Sequence, residues 1–346
     1  MLDALRLHVL AWLFAGALAA ASGRAADLET AAAAAGSGSP ARAAVARDGG
    51  AEIDALLEPW RRIRVAYLIP DHTHACLPVA ISSTTTPAQR EIATSLDLVA
   101  QSPVGAWLVD QASSRTVLIC HDPNTHLAAY YRSQVRLIGV LTRLPDPAKI
   151  MFLAHELAHV LQHPEFSNDR RFGPAAMLLM HRVREATAEA IATRVLWQLR
   201  ARGYQEFWDY KLQSAYGDIA HAFARAIGDR GGEAAELRAT RAAFDQWFER
   251  TERVRQYDDH MLNHIERTLR DYRGPIRQRR GLADEFLRGI AWHAGATFLP
   301  PGTSLPLTDP HYAGRLSADN AARLEAILEH APPQPEASLE DARAVR

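Results

Sequence analysis

The sequence predicts an α+β fold that is predominantly α: a small N-terminal sheet packed on one well-marked helix, followed by a helical C-terminal region. Three observations lead there. Short runs rich in β-branched and aromatic residues are confined to residues 64–120, with the length and composition of strands. From Ile150 to Leu161 apolar residues recur at i, i+3, i+4, i+7 and i+11, one stripe of a helix. Beyond Gly203 apolar residues keep helical spacing to about residue 330, interrupted at Gly231-Gly232, Arg273-Gly274-Pro275 and Pro300-Pro301-Gly302.

The elements follow in order. Arg64–Ile69 reads as a strand, and Thr86–Ala100 as a helix. Ala106–Asp110 and Thr116–Cys120 read as two strands of a hairpin round Gln111–Arg115. Asp146-Pro147 offers a helix start, Asp as N-cap and Pro at the first helical position, and Pro164 ends that helix. Gly173-Pro174 opens the next helix and Gly203 closes it. Past it, Phe207, Tyr210, Leu212, Ile219, Phe223, Ile227, Leu237, Phe244, Phe248, Met261, Ile265 and Leu269 are core candidates of a helical region.

Length and composition bound the function. A chain of 346 residues, 48% hydrophobic and 23% charged, can bury one sizeable core or two small ones. A net charge of −1 gives no sign of electrostatic capture of nucleic acid. Of 39 basic residues only Lys149 and Lys211 are lysines, the mark of a GC-rich genome. Leu7–Ala21 is nearly all apolar, follows Arg6 and leads into small residues, so residues 1–25 read as a secretory signal peptide. The run of 15 residues is short of the roughly 20 that span a bilayer. The expectation is therefore an exported protein, periplasmic or secreted, with no stable membrane span after cleavage. The alternative is an inner-membrane protein anchored by an uncleaved N-terminal helix. Residues 26–50 read as a disordered linker, 51–330 as the folded domain (core 51–203, helical part 204–330), and 331–346 as a disordered tail.

The chemistry concentrates in His155-Glu156-Leu157-Ala158-His159. On a helix, positions i and i+4 share a face, so both imidazoles can reach one metal ion. Glu156, about 100° round the helix, can reach a water held on that metal. Zinc metallopeptidases use this pattern: two His ligands and a glutamate general base. The bland alternative is a helix with two surface His and a Glu. A metzincin is excluded, because Gln162 and Glu165 stand where its Gly and third His belong.

A third ligand is needed, since a catalytic zinc takes three and leaves one position open. Glu185 and Glu189 share a face of the next helix and would repel each other without a positive partner. Ala186, Ala188, Ala190 and Ala192 would let that helix approach closely. The competing reading is an exposed acidic patch among Arg182, Arg184 and Arg194. His181, four residues before Glu185, ranks second for the ligand role, while His163 lies too far along the first helix.

The His155–His159 motif followed by Glu185 and Glu189 resembles the gluzincin zinc peptidases. Residues 184–190 are similar to the Arg-Glu-x-x-Ala-Asp-Ala stretch of membrane-associated gluzincins of the Ste24 and heat-shock type. The chain also resembles a group of uncharacterised bacterial proteins classed as metallopeptidases. The resemblance spans residues 147–200 or so. It implies that Glu185 is the third zinc ligand and that Glu189 takes the place of the Asp behind the first His ligand, here His155. Glu189 is one methylene longer than that Asp, and the transmembrane helices of those enzymes have no counterpart here.

Two cysteines, Cys76 and Cys120, in an exported chain suggest one disulfide. The alternative is a second metal site built from His72, His74, Cys76, Cys120 and His121. The functional expectation is a hydrolase of peptide or protein substrates with one Zn²⁺ per chain. It would use a zinc-bound water, Glu156 as general base and a donor to the oxyanion from His221, Tyr216, His260 or His264. An extended substrate would lie along a sheet edge beside the His helix. The alternatives are a zinc hydrolase of a non-peptide amide such as cell-wall material, and a non-catalytic helical scaffold with a vestigial site.

Overall fold

The structure is a computed structural model that describes residues 72–81, 83–162, 173–228, 232–270, 281–282 and 284–330. The expected signal peptide, the linker, the strand at Arg64–Ile69, His163 and the C-terminal tail lie outside the described residues.

The fold is α+β and mostly α. After a short turn of helix, α1 (His72–Ala75), come β1 (Cys76–Pro78), α2 (Pro87–Val99), α3 (Pro103–Ser114), β2 (Leu118–Asp122), β3 (Ala129–Arg132) and β4 (Leu137–Leu141). Then follow α4 (Asp146–Gln162), α5 (Pro174–Ala201), α6 (Gln205–Gln213), α7 (Gly217–Ile227), α8 (Glu233–Trp247) and α9 (Thr251–Arg270). The remainder is β5 (Gly281–Leu282), α10 (Asp284–Ala291), β6 (Trp292–His293), β7 (Ala296–Thr297), β8 (Leu305–Pro306) and α11 (Ala318–His330). Two small ribbons, β5–β8 and β6–β7, thus break a region that the sequence led us to read as helical throughout.

Local chemistry sets the helix starts. Thr86 caps α2 by accepting from Gln89 N, and the Gln89 side chain returns to the Thr86 N–H, with Pro87 in the first turn. Gln89 also donates to the Cys76 carbonyl at 3.1 Å, which pins β1 to the helix. Ser102 caps α3 by accepting from Gly105 N at 2.8 Å, with Pro103 following.

Residues 106–110 are therefore helix, not strand, and the predicted hairpin does not form. Val104, Leu108 and Ala112 are buried at i, i+4 and i+8, while Ala106 and Asp110 are exposed. An alternating strand would have put 106, 108 and 110 on one face.

The four-stranded sheet has the order β1–β2–β4–β3. β1 runs antiparallel to β2, β2 parallel to β4, and β3 antiparallel to β4. Every residue of β2 and β4 is buried, as expected of a parallel pair covered on both faces. β3 is one of the two outer strands. Its Tyr130 ring lies across Gly139, where a Cβ would come within 2.4 Å of the ring, and its hydroxyl donates to Asp122 at 2.9 Å.

Helix α4 packs on β3 and β4, and α5 packs along α4. α4 starts one residue earlier than its signal suggests: the Pro145 carbonyl accepts from Ala148 N and Lys149 N, so Asp146 sits in the first turn rather than at the cap. It is also covered on more than its predicted stripe, with Met151, Ala158 and Val160 buried beside Ile150, Leu153, Ala154 and Leu157. α5 is buried nearly all round and forms the axis of the molecule. Its charges are paired across helices. Arg182 makes a two-pronged ion pair with Asp258 of α9, at 2.7 and 2.6 Å, and Arg194 pairs with Glu236 of α8 at 2.8 Å. No helix among the described residues is long and apolar enough to cross a membrane.

Candidate metal centre

The facing sides of α4 and α5 carry the predicted residues. Ala186, Ala188, Ala190 and Ala192 are all fully buried, small residues in a helix that is packed on nearly every side. His155 Nε2 and His159 Nε2 lie 3.0 Å apart. Glu185 Oε2 is 3.4 Å from the first and Oε1 3.5 Å from the second. One ligand atom from each of the three residues falls within 4.8 Å of the others. The structure thus brings His155, His159 and Glu185 together, and it refutes the exposed acidic patch.

The donor set fits a cation. His155 Nδ1 faces Glu189 Oε2 at 3.1 Å, and His159 Nδ1 faces Gln162 Oε1 at 2.9 Å. Both oxygens are acceptors, so each ring carries its proton on Nδ1 and turns a bare Nε2 lone pair inward. Two lone pairs 3.0 Å apart beside a carboxylate repel each other unless a positive ion joins them. Separations of this size match the edges of a tetrahedron of bonds about 2.1 Å long.

Glu189 stands behind the His155 ring. Its second oxygen receives the ammonium of Lys211, a fully buried lysine on α6. Burial, and then Arg253, push Lys211 well below the usual lysine range, with Asp218 opposing them. Burial pushes Glu185 up, but the neighbouring imidazoles, His159 first and then His155, outweigh it and hold the carboxyl well below the usual range. Glu156 is buried, and that burial raises it, against the lowering by His155 and His159 and with a further push from Glu185. A glutamate raised in this way is a better proton acceptor than a solvated one.

Tyrosines complete the surroundings. Tyr216, just before α7, meets Tyr257 of α9 hydroxyl to hydroxyl at 3.0 Å. Burial raises both; Tyr257 and Arg253 oppose this at Tyr216, Tyr216 adds to it at Tyr257, and Glu185 and Glu156 push both further up. Of the four expected oxyanion donors, Tyr216 stands at the cluster, while His221, His260 and His264 are exposed, His260 near His181. His181 Nε2 is 4.0 Å from Glu185 Oε1, is buried, and finds no hydrogen-bond partner among the described residues. Burial holds its ring down to about 4.

The sequence reading missed Tyr257, Lys211 and the tether by Gln162. A lysine kept in a chain that otherwise uses arginine was the available signal for Lys211. The second metal site is ruled out by its cysteines: Cys76 and Cys120, cross-strand partners of β1 and β2, are disulfide-bonded. Their Cα atoms are 4.0 Å apart, closer than disulfides usually stand. His121 instead faces Glu91 at 3.6 Å.

Two histidines one turn apart, a carboxylate from the adjoining helix and a buried glutamate beside them define the class: a metallopeptidase arrangement. Residues 70–297 match the model of the Putative metallopeptidase family (DUF6782), and the chain belongs to that family. No curated protein and no solved structure matches the chain.

Proposed function

We propose that the protein is a zinc-dependent peptide-bond hydrolase of gluzincin type. His155, His159 and Glu185 hold one Zn²⁺, and Glu156 is the general base. The observation that carries this reading is the pair of inward-facing Nε2 atoms 3.0 Å apart, each ring tethered through Nδ1. Zinc held there would lower the pKa of a water and polarise a carbonyl oxygen. Glu156 takes a proton from the water as it attacks the carbonyl carbon, then delivers that proton to the leaving amine. A neutral hydroxyl of the Tyr216–Tyr257 pair donates to the oxyanion. Extended peptides pair along β3, the outer strand beside α4. The disulfide supports an exported protein, since such bonds persist in oxidising compartments.

The test is metal content per chain, measured with cleavage of a peptide library. One zinc per chain and library cleavage are expected, and Glu156→Gln should keep the zinc and lose nearly all cleavage. Zinc with cleavage of cell-wall amides alone would favour the non-peptide substrate, and a chain without stoichiometric zinc would favour the scaffold. Loss of metal in Glu156→Gln would make Glu156 a ligand and end the mechanism.

A further inference from the structure

Glu189 divides its two oxygens between two partners. Oε2 faces His155 Nδ1 at 3.1 Å, and Oε1 receives the Lys211 ammonium. The same ammonium lies 5.1 Å from the centroid of the Tyr216 ring, and the Tyr216 hydroxyl meets that of Tyr257 at 3.0 Å. One lysine therefore touches both the support of a metal-binding histidine and one of the two tyrosines beside the site. It is fully buried, and the Arg253 guanidinium lies 5.2 Å from the same tyrosine ring. These contacts also explain the length of residue 189. An aspartate, a methylene shorter, would reach His155 or Lys211 but not both.

We infer that Lys211 is a positioning residue of the metal site. Its ammonium holds Glu189 by one oxygen, so that the other stays directed at the His155 Nδ1–H and His155 Nε2 stays turned inward. Its contact with the Tyr216 ring fixes that side chain on the opposite wall. The inference rests on the metal-site reading above. The rival explanation is a buried ion pair that serves stability alone.

Zinc affinity and thermal midpoint separate the two. Full-length wild type, Lys211→Met, Glu189→Asp and Lys211→Met/Glu189→Gln are compared by chelator competition, each with its melting curve. Lys211→Met should bind zinc about 10–100-fold more weakly, the range for partners standing behind a ligand. The double variant should recover most of that loss. Its amide oxygen still accepts from His155, and no unpaired charge is left buried. Should Lys211→Met not fold, Glu189→Asp decides: it keeps the charge pair, cannot span both partners, and should lose affinity by at least about 10-fold. Wild-type affinity in Lys211→Met or Glu189→Asp, with only the melting point lowered, would overturn the proposal. A wild type that takes up no zinc would instead fail the metal-site reading, and this inference with it.

Discussion

Gln162 ties His159 to the helix that carries Glu185. Its Oε1 lies 2.9 Å from His159 Nδ1, and its Nε2 donates to the Arg184 carbonyl at 3.0 Å. The two imidazoles are thus held by different chemistries, His155 by a carboxylate and His159 by an amide. The amide does a second job, fixing the last turn of α4 against α5.

Gln162→Ala should lower zinc affinity by about 10–100-fold, as loss of an outer partner does. Chelator competition reads this directly. Unchanged affinity would mean that the helix alone orients His159.

Glu185→Ala and His181→Ala should differ in kind. The first removes a proposed ligand and should cost more than the roughly 100-fold upper range of outer partners. The second should leave zinc bound and lower turnover, because His181 lines the cluster 4.0 Å from Glu185 without taking a hydrogen-bond partner. If His181→Ala loses zinc as completely as Glu185→Ala, the ligand assignment is wrong.

The disulfide closes a loop with a sequence separation of 44. Cys76→Ala/Cys120→Ala should lower unfolding stability by about 3–4 kcal/mol in the chain-entropy model. The bond joins β1 to β2, while α4 packs on β3 and β4, so zinc affinity of the folded variant should stay within a few-fold of wild type. Urea denaturation and chelator competition together check both halves. A variant as stable as wild type would show that the bond adds nothing to the sheet.

Away from the metal centre, burial depresses the His121 imidazole below its usual 6.5, with Lys149 adding to this and Glu91 opposing it. The unfolded chain then binds a proton more readily than the fold. The stability due to neutral His121 is present above pH 6.5 and is lost as pH falls from there through the lower folded value. Denaturation midpoints at pH 7.5 and 5.5 should therefore drop for wild type and drop less for His121→Gln. Equal slopes would assign the acid loss to other groups.

Much of the site was legible because its spacing is the helix's own spacing. His155 and His159, and Glu185 and Glu189, are four apart, and a turn of helix puts each pair on one face. What holds those residues was not legible. The Lys211–Glu189 pair and the Tyr216–Tyr257 pair join residues 22 and 41 apart, and a contact between helices leaves no period in the sequence. The helical character of the latter half was readable for the same reason as the motif, but its two-residue strands carry too few residues to show alternation. Residues 106–110 misled because Trp107-Leu108-Val109 is a short apolar run that suits either state. The Ser102-Pro103 start was the better guide. The strand Leu137–Leu141 went unread since it is apolar throughout and buried on both faces, without the alternation of a half-exposed strand.

The two lysines of this chain have one further consequence. Lys211 is wholly buried and Lys149 is 7% exposed, each against a glutamate. A folded molecule therefore offers an amine-reactive reagent almost no side chain to attack. Labelling at Lys211 would report the moments when α6 parts from α5. The rate of that reaction, followed by mass spectrometry with and without added zinc, would serve as a built-in clock for opening of the metal site.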